Sequence, residues 1–513
     1  MYSRVVLLSV LSAVLFLAGC ATLPPPAGRV ETTAATDTEK TRLGQSVAAG
    51  VDANPGKTGI HSLSIPLDAF AARALLARAA ERSLDAQYYV WSGDQTGYLL
   101  FEALWQAAER GVRVRLLLDD ATTAGLDETI ATLDAHSNIE VRLYNPIVYR
   151  SARGMSFVLD FTRLNRRMHN KAFIADNQVA VVGGRNIANE YLGAGNDIVF
   201  ADLDVIAVGP AVREVSKEFD LYWNSASAYP ASTVLGEGKV DVASLQSHFA
   251  DAHADPQSVV YLDVMRTTPL LNDLVSRRLA LEWTHATVVH DDPAKTLDTS
   301  ERTDILLLPR LLDVMGRPEK SFDLISPYFV PGDTGTAALV ALAKRGVKVR
   351  VLTNSLASTD VVAVHAGYAK RRRDLLEAGV VLYELKTSAV MDDPDTKARF
   401  GISSSSSLHA KTFAIDDSRA FVGSFNFDQR STHLNTEMGL VIESPLLARQ
   451  IGAAFDTTIP KVAYEVRLTP GGALEWIDRT PSGVTRFDVE PGASPGRRSL
   501  VNFFSLLPID WLL

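Results

Sequence analysis

Hydrophobic and polar positions run with two different periods along the chain, and the order in which those periods occur is itself repeated. From Pro66 to Ser83 apolar residues recur at the three- and four-residue spacing of an amphipathic helix, and "LDAQYYVW", residues 84–91, has the length and density of a buried strand. "YLLFEALWQAAERG", residues 98–111, is helical again and closes on Gly111, and "VRVRLLLDD", residues 112–120, reads as the next strand. The succession then returns. "FDLISPYFV", residues 322–330, parallels the first strand, and "TAALVALAKRGVKVRVLTNS", residues 336–355, parallels the helix and the second strand; Arg110-Gly111 and Arg345-Gly346 lie 345 − 110 = 235 positions apart. A repeat at this period means two copies of one α/β unit, with a largely parallel, helix-covered sheet expected in each. The expected fold class is α/β, two duplicated α/β/α sandwich units, at 62–225 and 321–460. Residues 226–320 carry fewer repeat signals and read as a connecting elaboration, and 461–513 as a C-terminal extension with an apolar end.

Composition changes this picture mainly at the N-terminus. A chain of 513 residues that is 47% hydrophobic can build two cores, and a net charge of −9 with pI near 5.6 argues against a surface made to collect nucleic acid. Arg4 and the apolar run Val5 to Ala18 read as a secretory signal over residues 1–19, too short to span a bilayer. "LAGC" then resembles a bacterial lipobox, which makes Cys20, the only cysteine, the acylated first residue of the mature chain. The expectation is a lipid-anchored lipoprotein of the bacterial envelope facing the periplasm, with Ala21 after the cysteine favouring the outer membrane over the inner. Residues 20–61 have no apolar periodicity and are rich in Pro, Thr, Ala and Gly, so a disordered tether is expected there.

The chemistry lies in a second repeat. "MHNKAFIAD" and "LHAKTFAID" both spell His-x-Lys-x-x-x-x-Asp, as His169/Lys171/Asp176 and His409/Lys411/Asp416, with 409 − 169 = 240 positions between them. At ordinary residue frequencies the pattern should occur only about a few hundredths of a time in such a chain. Both copies continue in one register, to Gly183-Gly184-Arg185-Asn186 and Gly423-Ser424-Phe425-Asn426. Histidine and lysine at i and i+2 of an extended segment face one side. Two such segments brought face to face would surround one point with two imidazoles, two ammonium groups and the amides of Asn186 and Asn426, an anion site with a nucleophile and an acid/base beside it. No His-Glu-x-x-His or carboxylate cluster suggests a metal, no Gly-x-Ser-x-Gly suggests a serine hydrolase, and no cofactor is called for.

These residues resemble the phospholipase D superfamily and, within it, the cardiolipin synthases. The likeness extends over "RGVRVRLLLDD", "TRLNRRMHNKAFIAD", "VVGGRNIANEY", "GSFNFDQRSTHLNTEMGLVIES" and the terminal "LPIDWLL". The resemblance implies one active site on a pseudo-twofold axis between the units, with one histidine forming a phosphohistidine and the other protonating the leaving group and then activating the acceptor. Carried over, His169 and His409 take those roles, Lys171, Lys411, Asn186 and Asn426 bind phosphate, Asp204 and Glu437 orient the histidines, and Asp176 and Asp416 are structural. Asp204 follows His169 by 35 positions whereas Glu437 follows His409 by 28, a departure attributed to an insertion around "YLGAGND". The implied reaction is phosphatidyl transfer between phospholipids, giving cardiolipin from phosphatidylglycerol, with phosphatidylethanolamine as a further candidate lipid and no nucleic acid expected. Phospholipid hydrolysis to phosphatidic acid and cleavage of a nucleic-acid phosphodiester remain alternatives.

Four weaker features leave a choice open. "KRRRD", residues 370–374, and the arginines Arg163, Arg166 and Arg167 read either as solvated basic faces or as contacts to anionic headgroups. "GISSSSS", residues 401–407, reads as a flexible entrance to the second motif, and the apolar end "SLVNFFSLLPIDWLL" either packs on the core or lies in a membrane interface.

Overall fold

The computed structural model describes residues 23, 29–193, 199–236, 240–297, 302–387, 406–480 and 483–513. In the first unit the strands are β1 (Thr58–Leu63), β2 (Ser83–Tyr88), β3 (Arg113–Asp119), β4 (Ile139–Tyr144), β5 (Ala172–Ala175), β6 (Val179–Gly183), β7 (Val199–Ala201), β8 (Asp204–Val208), β9 (Ala228–Pro230) and β10 (Glu282–Thr284). In the second they are β11 (Ala286–His290), β12 (Ser321–Ile325), β13 (Lys348–Asn354), β14 (Val381–Leu385), β15 (Ser406–Leu408), β16 (Thr412–Ile415), β17 (Arg419–Gly423), β18 (Met438–Ile442), β19 (Ala463–Leu468), β20 (Leu474–Thr480) and β21 (Gly483–Phe487). They form a nine-stranded sheet, β10-β1-β8-β6-β5-β2-β3-β4-β9, a ten-stranded sheet, β11-β18-β17-β16-β12-β13-β14-β19-β20-β21, and a small β15-β7 pair that joins the units.

Both large sheets are mixed rather than largely parallel. Within them only β2-β3-β4 and β12-β13-β14 run parallel, each strand joined to the next by a crossover that contains a helix. The helix Gln95–Glu109 is N-capped by Asp94, which accepts the Gly97 N–H at 3.0 Å, and ends on Gly111 at φ 90°, where a side chain would be strained; Gly346, at φ 87°, ends the matching helix. The motif strands instead turn back on themselves. Asp176-Asn177 and Asp416-Asp417 all have φ between 50° and 54°, the left-handed backbone of a tight turn, and so pair β5 with β6 and β16 with β17 antiparallel. The Asp176 carboxylate accepts the N–H groups of Glu81, Arg82 and Ser83, and Asp416 those of Glu319, Lys320 and Ser321. Each motif aspartate thus pins the hairpin to the start of the central strand beside it.

Buried ion pairs repeat as well. Arg115 holds Asp85 at 2.7 Å and Asp220 at 2.8 Å, and Arg350 holds Asp323 and Asp456 at 2.6 Å each. One continuous apolar core contains residues of both sheets and of the helices Pro210–Trp223 and Pro445–Thr457, so the units share their interior.

The chain is ordered well before residue 62. Arg42–Ala53 is a helix capped by Thr41, β1 lies inside the sheet between β8 and β10, and the carbonyls of Val30, Thr32 and Thr33 accept from Arg142, Arg115 and Arg113. Residues 30–33 are held by main-chain acceptors on arginines of the fold, which leaves no hydrophobic period to read there, while the helix buries Leu43 and Val47 in the core. Residues 226–320 likewise belong to the body of the protein, supplying β10 to one sheet and β11 to the other. Beyond residue 461, β19, β20 and β21 continue the second sheet. Cys20 and the leader lie outside the described residues, as does most of "GISSSSS"; among the described residues no helix is long and apolar enough to cross a membrane.

Candidate active site

Each histidine sits just ahead of its motif strand, on a segment stitched to the other unit. The His169 N–H donates to the Thr436 carbonyl at 2.9 Å and the Thr436 N–H to Arg167 at 2.9 Å, while the His409 N–H donates to Ala201 at 2.9 Å. The side chains follow the same cross-unit rule. His169 Nδ1 lies 2.8 Å from Glu437 Oε2, and His409 Nδ1 lies 2.6 Å from Asp202 Oδ2. A carboxylate at Nδ1 fixes the ring and its tautomer, leaving Nε2 as the nitrogen for chemistry.

Asp204 does not orient a histidine. It is fully buried against Arg73, 2.9 Å away, and also lies near Arg185. Strand register explains the correction: Gly183 pairs with Asp204 where Gly423 pairs with Gly439, so the counterpart of Glu437, two residues before Gly439, is Asp202. The inserted length in the first copy is then five residues, (204 − 183) − (439 − 423), and not seven. Matching the apolar runs "VIAV" and "LVIE" in place of the nearest acidic residue would have found Asp202 in the sequence. The second glycine of "GGRN" has the same origin, because a Cβ on Gly184 would lie 2.3 Å from Asp202 Oδ1. At the matching place Ser424 donates to Glu437 Oε2 at 2.5 Å, and Ser431 donates to its Oε1 at 2.7 Å.

Lys171 and Lys411 are both 1% exposed. Lys171 Nζ donates to the His169 carbonyl at 2.6 Å, and Lys411 Nζ to the His409 carbonyl at 2.5 Å while lying 3.0 Å from His409 Nε2. Burial and the charges of Lys171 and Lys411 depress the pKa of both histidines, so each lysine is felt at both rings and the four residues form one site. Burial pushes the Asp202 carboxyl up, but His409, Lys411 and Arg185 outweigh it and hold it below the ordinary carboxylate range. Burial dominates at Glu437, raised to about 7, and at Lys411, lowered to about 8.

Asn186 Oδ1 accepts the Val90 N–H at 3.1 Å, which leaves its amide hydrogens as donors, and Asn426 is buried with its Oδ1 unpartnered. Other neighbours carried no motif signal. Tyr89 meets the His169 ring edge-on at 5.1 Å and Tyr191 the His409 ring at 4.8 Å, and Asp291, from the connecting segment, accepts the Glu437 N–H at 2.8 Å.

The basic stretches turn inward. Arg167 binds Asp119, Arg163 binds Asp160, and Arg166 donates to the Lys295 carbonyl. In "KRRRD", Lys370 holds Asp510 at 2.6 Å and Arg372 holds Glu384 and Glu490, which leaves Arg373 as the exposed member, beside Glu377. The C-terminus docks on Arg430, whose N–H donates to the Leu513 carbonyl at 2.8 Å, yet Phe503, Leu506 and Trp511 stay exposed.

A family profile described as "Cardiolipin synthase, PLD-like domain" matches residues 73–223 and 311–459. Cardiolipin synthase C of Escherichia coli (strain K12) is 47% identical over 474 residues, covering 92% of this chain and 100% of that protein. The major cardiolipin synthase ClsA of Bacillus subtilis (strain 168) is 25% identical over 73% of this chain and 64% of its own length. Among solved structures, phosphatidylserine synthase of Haemophilus influenzae Rd KW20 shares the fold at a TM-score of 0.56 and 13% identity, over 91% of this chain and 100% of its own.

Proposed function

Since the chain belongs to the cardiolipin synthase, PLD-like family and is a phosphatidyltransferase of the phospholipase D superfamily, we propose that it transfers a phosphatidyl group to the headgroup alcohol of phosphatidylglycerol through a phosphohistidine. The observation that carries this reading is the pair of imidazoles, each held at Nδ1 by a carboxylate of the other unit beneath two buried lysines. In the first half-reaction the Nε2 lone pair of one histidine attacks phosphorus. The bond from phosphorus to the leaving headgroup oxygen breaks, and that oxygen takes the proton from Nε2 of the second histidine. In the second half the now neutral ring removes the acceptor hydroxyl's proton, the alkoxide attacks phosphorus, and the P–N bond breaks. Lys171, Lys411, Asn186 and Asn426 stabilise the negative oxygens throughout.

Two sets of exposed apolar side chains support work at a bilayer surface. Met155, Val158 and Phe161 are exposed in one segment, and Phe503, Leu506 and Trp511 at the C-terminus; Arg430 bonds both Asn165 and Leu512. The lipobox cysteine supports anchoring in the envelope, on the periplasmic side and in the outer membrane by preference; membrane fractionation that is unchanged by Cys20→Ala would count against it.

Mixed vesicles of phosphatidylethanolamine and phosphatidylglycerol should yield cardiolipin on incubation with purified protein, and added glycerol should compete for the intermediate. Accumulation of phosphatidic acid alone would make the protein a hydrolase, and untouched lipid with cleaved DNA would make it a nuclease. Acid–base behaviour gives a second test. Phosphate binding needs a charged Lys411, so kcat/KM should fall as pH rises through about 8. In Lys411→Arg, which keeps its charge, that alkaline limb should disappear from whatever activity remains.

A further inference from the structure

The two units differ sharply at one pair of equivalent places beside the site. In the first unit, Glu218 of the helix Pro210–Trp223 accepts from Gln87 and from Asn170 at 2.6 Å each, and Thr436 donates to Asn170 at 2.8 Å. These residues and Tyr222 of the same helix are all buried, and Asn170 and Thr436 are the chain neighbours of His169 and Glu437. Strand register assigns the counterparts in the second unit: Ile325 for Gln87, from the pairs Gln87 with Ala172 and Ile325 with Thr412, and hence Ala410 for Asn170. The matching turns of the helix Pro445–Thr457 and the residue after it carry Ala453-Ala454 and Thr457-Thr458 in place of Glu218 and Tyr222.

Those exchanges open a cavity of about 490 Å³ under His409, within the size range that holds small ligands. Asp202 forms part of its wall, Ala454 and Ile451 another part, and exposed Ser62, Gln450 and Thr457 mark its mouth between the units. Among the described residues no lysine or arginine lines it, and Asp202, the one charged residue among them, is engaged with His409, so they offer a phosphate or other anion no partner. Thr412 faces it with a buried hydroxyl that has no hydrogen-bond partner. The wall is mainly apolar, with Ile325, Leu352, Leu408, Leu447, Ile451 and Val462 beside a few hydroxyl groups, and apolar cavities take up hydrocarbon.

We propose that this cavity binds a single aliphatic chain of a lipid. For the identity of that lipid it rests on the phospholipid-transfer reading. Because only the second unit has room, a tail can be held beside His409 and not beside His169, which breaks the pseudo-twofold symmetry and lets the site tell donor lipid from acceptor. The same chemistry could come from a phospholipid tail or a free fatty acid.

In the test, the fluorescent fatty acid cis-parinaric acid is titrated into the purified full chain and displaced with palmitate in one arm and palmitoyl lysophosphatidylglycerol in the other. Displacement by both supports a lipid-tail site, and displacement by palmitate alone assigns it to free fatty acid. Ala454→Phe and Thr458→Tyr restore the bulk of the first unit and should each weaken probe binding by about tenfold or more while leaving turnover of short-chain phosphatidylglycerol within about twofold. In the unaltered chain, a diazirine-bearing palmitate should crosslink to peptides containing Ile451, Ala454 and Thr458. The proposal is overturned if folded variants bind the probe as well as the parent, if the parent does not bind it, or if crosslinks map elsewhere. Tail binding is read without turnover, so failure to form cardiolipin in vesicles would be a separate result.

Discussion

Changing either His169 or His409 to alanine should lower phosphatidyl transfer by at least about 10³-fold, with the chain still folded. A site made of two independent halves would lose about half its rate from one such change. Here Glu437 of the second unit holds His169 of the first, Asp202 of the first holds His409 of the second, and both lysines act on both rings. In the proposed mechanism neither imidazole can replace the other, since one carries the phosphatidyl group while the other moves the proton. The double variant should therefore be little worse than either single one, as is usual for residues that act as a unit. Both rings are nearly enclosed, at 7% and 8% exposure, but each histidine's main-chain bond to the other unit survives the change to alanine, so the fold should hold. The measurement is kcat in the mixed-vesicle assay beside thermal unfolding. Mass analysis of acid-quenched enzyme should find the adduct on one histidine. If either single variant with unchanged unfolding keeps more than about a tenth of the parent rate, the shared-site mechanism is wrong.

The repeated fold was legible because burial writes a period into the sequence, and two copies of that period at one offset leave little choice of architecture. The direction of the strands was less so. What turns β5 back on itself is the left-handed backbone at Asp176 and Asn177, and neither residue type announces that conformation as glycine would. The ordered stretch around Val30 to Thr33 was invisible for a related reason, since arginines hold its carbonyls and main-chain acceptors leave no residue pattern, whereas the helix Arg42–Ala53 was written in Leu43, Val47 and Val51 and was overlooked. At the site, the spacing of His169, Lys171, His409 and Lys411 pointed to a single cluster because the chemistry needs those side chains. Asp202 was missed because "DLD" offers two aspartates, which the apolar runs "VIAV" and "LVIE" after them would have separated. The cavity under His409 could not be read at all, since it results from small residues on four different elements that meet only in the folded chain.

Those two aspartates should respond oppositely to one chemical change. In Asp204→Asn the buried guanidinium of Arg73, which touches Asp204 at 2.9 Å and Tyr88 at 2.9 Å, loses its anionic partner. An uncompensated buried charge of this kind typically costs about 3–5 kcal/mol. The expected result is a clear drop in unfolding temperature, with kcat per folded molecule little changed, because Asp204 is bound to arginines and touches neither histidine. Asp202→Asn should do the reverse. The neutral amide no longer stabilises a protonated His409, and because the Leu203 N–H, which donates to Asp202 Oδ1 at 2.8 Å, needs the amide oxygen, the NH2 is turned toward an Nδ1 that has to donate; the ring is then pushed toward the tautomer with its proton on the wrong nitrogen. A loss of about 10²–10⁴-fold in kcat is the scale for a misoriented or mistautomerised catalytic imidazole. Stability should suffer less than in Asp204→Asn, since Lys411 and Arg185 keep other acceptors, the His409 and Leu63 carbonyls among them. Measured side by side, kcat in the vesicle assay and the unfolding temperature separate the two roles. Near-normal turnover in Asp202→Asn together with an inactive but fully stable Asp204→Asn would return the orienting role to Asp204 and would mean that the 2.6 Å contact between Asp202 and His409 has no part in the reaction.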